Sequence, residues 1–174
     1  MKFLRVFTAF AAVLVIFTIG ADAQRTTKKT TPKVVTTSPT PTAASGGTDM
    51  RSGAEKVAIQ VKNVSKFIYV LGGVAKGIED LDKDPKANKA ARDANETNKR
   101  EVIQAIKNLR AGLTALEIEF RTKPTWRKAV PQIDGIAILS QDAESLAVAG
   151  KFVESGKPLL QVVEKLSDTL VALR

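Results

Sequence analysis

The chain of 174 residues has no cysteine and no histidine, and only one tryptophan and one tyrosine. Without a thiol there is no disulfide, no thiolate nucleophile and no thiolate metal site. Without imidazole there is no Ser-His dyad and no imidazole-ligated zinc, so most hydrolase mechanisms drop out. One Trp and one Tyr leave little to stack on bases, which argues against nucleic acid as a partner. No cofactor motif takes the place of the missing groups, and the expectation is a protein that is not an enzyme and carries no cofactor or metal.

What is present begins with an export pattern. Lys2 and Arg5 form a positive start, Val6 to Gly20 is an apolar run without charge, and Ala21-Asp22-Ala23 has the small-x-small form that signal peptidase needs. The apolar run is short of the roughly 20 residues that cross a bilayer, and a polar segment follows at once. A cleaved signal peptide over residues 1–23 is expected, and with it secretion and no transmembrane anchor. From Gln24 to Thr48 the composition turns to Thr, Ser, Gly and Pro, including Pro32, Pro39 and Pro41, with almost nothing apolar to bury. Such a stretch cannot offset the entropy of ordering, so a disordered tail is expected over 24–48. Its composition suits either an O-glycosylated stalk or an unmodified arm. It carries Arg25, Lys28, Lys29 and Lys33 and no acid. The whole chain has a formal charge of +9 at pH 7. Outside the cell such an excess favours polyanionic glycans, anionic surfaces or acidic protein patches.

Residues 49–174 are enough for one domain with its own core. Val57, Val61, Val64, Ile68, Leu71, Ala75 and Ile78 recur at alternating steps of four and three, which lines one face of a helix. Ser52 and Glu55 form a capping-box pair, so the first helix is expected to start near Ser52. Gly72-Gly73 interrupts it without breaking the stripe and marks either a bend or a close approach by a neighbouring helix. Asp84-Pro85 supplies a stop and a restart, with Asp84 as N-cap. The second stripe is Val102, Ile106, Leu109, Leu113, Leu116 and Phe120, and its Ala-rich first half is expected to dock weakly or fray. Lys123-Pro124-Thr125 ends that helix. A third stripe runs Ile136, Leu139, Ala143, Leu146, Gly150 and Val153, closed by Gly156 and Pro158, and a fourth runs Leu159, Val163, Leu166, Leu170 and Leu173. The expected class is all-α, an antiparallel bundle of four or five helices.

Few residues in this domain point to chemistry. Glu117 and Glu119 are the wrong spacing on a helix to converge as a carboxylate pair. Asp80-x-Asp82-x-Asp84 imitates the start of a calcium loop, yet its sixth position is Pro85 where glycine is needed and its twelfth is Ala91 where a glutamate belongs. Asn63-Val64-Ser65 and Asn95-Glu96-Thr97 are N-glycosylation triplets. Asn95 is the better candidate, because its neighbours are polar while Asn63 adjoins the core stripe. Arg121, Lys123, Arg127 and Lys128 surround Trp126 and form the best candidate binding patch of the domain, with Trp126 either anchoring a partner or plugging the end of the bundle.

Two functions survive. One is a secreted interaction protein that binds an extracellular protein or polyanion through its helices and its basic arm. The other is a lipid-surface protein whose amphipathic helices open onto lipid. In layout, a cysteine-free amphipathic bundle is similar to the apolipophorin III class of insects. A signal peptide followed by a Thr-rich basic tail and a small helical domain resembles salivary proteins of blood-feeding flies, and that resemblance implies an inhibitor of host defence or coagulation. The stripes are narrow and contain Ala75, Ala143 and Gly150, which suits helix-on-helix packing better than a lipid face.

Overall fold

A computed structural model describes residues 44–174, with side chains from residue 47 onward. Residues 1–23 and most of 24–48, with Arg25, Lys28, Lys29 and Lys33, lie outside the described residues. The described residues are all-helical: α1 (Ala44–Lys83), α2 (Lys89–Thr122), a 3-10 turn (Pro124–Ala129), a single turn α3 (Val130–Ile133), α4 (Ile136–Val148) and α5 (Phe152–Ala172). None of these helices is long and apolar enough to cross a membrane.

The stripes mostly fall where their spacing puts them. On α1 the residues Val57, Val64, Leu71, Ala75 and Ile78 are buried; on α2 the buried set includes Val102, Ile106, Leu113, Leu116 and Phe120. They meet Ile133 of α3, Ile136, Ala143 and Ala147 of α4, and Phe152, Leu159, Val162 and Leu166 of α5 in one apolar cluster. α1 packs on α5 and α2, and α4 packs on α5 and α2. Polar contacts fix the directions. Lys56 meets Glu119 while Asn95 meets Asp82, so α1 and α2 run antiparallel. Arg110 meets Glu144 and Glu117 meets Ala137, so α2 and α4 do likewise.

Helix boundaries depart from expectation at three places. α1 begins at Ala44, so Ser52 and Glu55 lie inside the helix and do not cap it. Burial of Trp126 against Gly53 and its bond to Asp49 give the preceding turns something to dock on, which a local capping pattern does not register. α2 restarts at Lys89 with Asn88 as N-cap, its side chain accepting from the Ala91 amide. Asp84 instead accepts from the Lys86 amide at 2.8 Å, an Asx turn that keeps the chain out of helix for a further turn.

The third departure is the division between α4 and α5. α4 stops at Gly150, which takes φ 78°, and the Lys151 amide donates to the Leu146 carbonyl while the Gly150 amide donates to Ala147. This is a Schellman termination, and only glycine enters that backbone region without steric cost. Pro158 therefore falls inside α5, seven residues in, and Val153 is exposed. The helix runs through the proline because Phe152 and Ser155 before it and Leu159, Val162, Leu166, Thr169 and Leu173 after it share one buried face. Burial of this whole face, from Phe152 to Leu173, outweighs the lost bond and ring clash of one proline. Thr169 sits on the centre of that face and Val163 and Leu170 on its edges. The Gly72-Gly73 pair neither interrupts α1 nor admits a neighbour, since a Cβ at either position would meet nothing within 4 Å.

Neither α4 nor α5 has a side-chain cap of its own, and each is capped by a carboxylate from another helix. Glu117 of α2 accepts from the Gly135 and Ala137 amides at 3.3 and 2.9 Å. Glu79 of α1 accepts from the Val153 amide at 2.8 Å. Negative charge at a helix N-terminus satisfies open donors and complements the helix dipole, here across the tertiary fold.

Candidate functional site

The basic patch is built on a corner where α2 ends and the 3-10 turn begins. Pro124 opens the turn and Trp126 drops into the space beside α1. The indole is fully buried, its Nε1 donates to the Asp49 carbonyl at 2.9 Å, and its ring lies 4.7 Å from that of Phe120. Gly53 makes room for it: a Cβ there would lie 2.9 Å from the ring. The Lys123 Nζ sits 4.1 Å from the ring centroid and that of Lys56 at 5.8 Å, so two cations face the indole's negative surface. Both also hold Glu119, Lys56 at 2.5 Å and Lys123 at 3.1 Å. Burial alone would push the Glu119 carboxyl up, but hydrogen bonds from Lys56 and Lys123 outweigh it and hold the group below its ordinary range.

Beside this cluster, Arg121 donates to Glu117 at 2.5 Å and also pairs with Asp134. The hydrogen bond with Asp134, with the charge of Glu117 behind it, holds the guanidinium more firmly protonated than usual. The five residues singled out at this corner thus divide. Arg121 and Lys123 are neutralised by Glu117, Asp134 and Glu119, and Trp126 is interior, so it does not offer its ring to a partner. Arg127 and Lys128 are exposed on the turn that Trp126 anchors. The sequence pattern connects neither Lys56 and Gly53 nor the two acids Glu117 and Glu119 to this corner. Nothing in their spacing announces a contact between residues 63 apart, such as Lys56 and Glu119.

The two glycosylation candidates differ in burial. Asn95 is only 3 % exposed, and its Nδ2, the atom a glycan would occupy, donates to the Ile78 carbonyl at 3.1 Å and to Asp82 at 3.0 Å. Of its polar neighbours, Glu96 and Arg100 point to other faces of α2, while Lys99 shares its face and its partner Asp82. A glycan on Asn95 and this packing exclude each other. Asn63 is half-buried on α1. Asp82 also receives Lys99 at 2.5 Å; burial works against that ammonium, yet its bonds to Asp82 and Glu96 raise its pKa.

A hollow of about 350 Å³ lies at this second end, lined by residues that include Leu81, Asp82, Asp84, Pro85, Arg92 and Glu96. Most of its polar groups are engaged: Asp82 with Asn95 and Lys99, Asp84 with Lys86, Arg92 with the Pro85 carbonyl, Glu96 with Lys99. Among the described residues no group of three acids is placed to hold a metal ion. Glu117 and Glu119 serve different neighbours, as their spacing implies. No protein-family model, curated protein or solved structure matches the chain.

Proposed function

We propose that this is an exported, non-enzymatic interaction protein in which α1, α2, α4 and α5 form an antiparallel four-helix bundle. Its partner is an extracellular protein or a polyanionic surface, met by the bundle and by the basic arm of Arg25, Lys28, Lys29 and Lys33. The observation that carries this reading is the division of charge at the Trp126 corner. Lys56, Arg121 and Lys123 are consumed in ion pairs with Glu119, Glu117 and Asp134, whereas Arg127 and Lys128 stand outward on a turn pinned by a buried indole. The pinned turn fixes the backbone that carries these two cations, which removes part of the ordering cost of binding an anion. The layout shared with salivary proteins of blood-feeding flies makes host proteins the first partners to test.

Capture from plasma and from haemolymph with the full exported chain is the test. We expect a protein partner or a heparin-competed anion to be retained, and retention to fall when Arg127 and Lys128 are changed to Glu. Recovery of nothing from either fluid would refute the reading. Flotation of the full chain with liposomes, undiminished when the four arm cations are changed to Gln, would favour the lipid-surface alternative instead.

A further inference from the structure

The outward face of α1 carries a patch that the fold does not use. Ile59, Lys62, Lys66, Tyr69, Val70, Gly73, Lys76 and Gly77 are all exposed and lie opposite the buried Val57, Val64, Leu71 and Ala75. Tyr69, the chain's only tyrosine, is 85 % exposed, with Val70 next to it and Ile59 exposed about three turns earlier on the same helix. No acid occurs between Lys56 and Ile78 in sequence. Lys56 turns inward to Glu119 and Lys76 pairs with Asp80 at the edge, which leaves Lys62 and Lys66 in the centre with no acid from this helix. Gly72, Gly73 and Gly77 lower the helix propensity of an exposed stretch, and among the described residues no neighbour uses the room they leave.

We propose that this face of α1 docks an acidic segment of a protein partner. Tyr is enriched at protein interfaces, where it supplies contact area, and the unpaired Lys62 and Lys66 give the patch a sign that selects an acidic partner from the polar rim, where lysines belong. A lipid surface is the poorer occupant, because three scattered apolar groups on a convex helix do not make the wide apolar face that interfacial helices bury. The proposal deepens the interaction reading and rests on it.

The test titrates the full exported chain, by fluorescence anisotropy, with two dye-labelled amphipathic peptides sharing one leucine seam and flanked by either Glu or Lys. The Glu peptide is expected to bind and the Lys peptide not. Lys62→Glu with Lys66→Glu should weaken the Glu peptide about tenfold. Gly73→Gln should also weaken it while raising the helix melting temperature, which separates docking from stability. Equal binding of both peptides would overturn the proposal. So would an affinity indifferent to charge reversal on α1, or one lost through Arg127→Glu and Lys128→Glu instead. Self-association through α1 in sedimentation would equally replace the acidic partner with a second copy. Capture from plasma that persists when α1 is charge-reversed would remove this surface alone, whereas no capture at all would remove the broader reading.

Discussion

At one end of the α1–α2 pair an indole is clamped between Gly53, Phe120 and two lysines; at the other, the Asn95 carboxamide bridges the Ile78 carbonyl and the Asp82 carboxylate. Both join the same two helices. The Trp126 end draws on the burial of a large ring and is tolerant in direction, whereas the Asn95 end has only smaller apolar groups such as Ile78 and Val102 and adds two directed bonds. A bond of the second kind contributes little net stability, but leaving its partners unsatisfied in the interior is costly. The apolar end should therefore dominate the stability of the pair, and the polar end its register.

Trp126→Ala should show the largest effect, a loss of about 3–5 kcal/mol in denaturant unfolding followed by circular dichroism. A loss below that of Asn95→Ala would reverse the ranking of the two ends. Asn95→Ala should cost about 1–3 kcal/mol, since the Ile78 carbonyl and Asp82 lose a donor. Peptide mapping of secreted protein should find Asn95 unmodified; an occupied Asn95 in a folded molecule would contradict the packing of that end.

Gly53→Ala tests the indole's seat from the other side. The added methyl must displace a ring that has nowhere to go, at about 1–3 kcal/mol, offset in part by the higher helix propensity of alanine. Unchanged stability would mean that the corner is looser than its contacts imply.

Acid acts on the Trp126 end through Glu119. Glu119 is held below its ordinary range when folded, so its contribution is present above the unfolded-state pKa and is lost as pH falls through the folded value. The difference in stability between the native chain and Glu119→Gln should be largest at neutral pH and shrink on acidification below the usual carboxylate range; a gap that widens there would refute this. Lys99 at the other end is raised, so its contribution is present below its unfolded pKa and fades only in strong alkali. Smallest of all, Arg127→Glu with Lys128→Glu should leave stability within about 0.5 kcal/mol, because both are exposed on the surface.

The same comparison shows which parts of the fold are legible in sequence. Val57 to Ile78 and Val102 to Phe120 declare their faces because apolar residues repeat at helical spacing, and the all-helical class follows. Asn95 was harder. Continued backwards from Val102 in steps of three and four, the α2 stripe passes through Lys99 to Asn95, so its burial was encoded in register and masked by its polarity. Pro158 misled for the opposite reason, since a local breaker was outweighed by the buried face that runs from Phe152 to Leu173. The cross-helix caps from Glu117 and Glu79 have no local signature, because the amides they satisfy belong to helices distant in the chain. At the basic patch, the residue types were visible and their pairing was not: Arg121 and Lys123 are held by Glu117 and Glu119, while Arg127 and Lys128 are not.

Because the chain has a single tryptophan, and that tryptophan is buried at one end against cations and a helix carbonyl, its intrinsic emission is a position-specific gauge. A red shift on gentle denaturation reports opening of this corner alone, whereas the far-ultraviolet helical signal averages over all the helices. Coincident midpoints from the two would show that both ends of the α1–α2 pair give way together. A fluorescence change that comes first would show that the first turns of α1 lift away while the remaining helices hold.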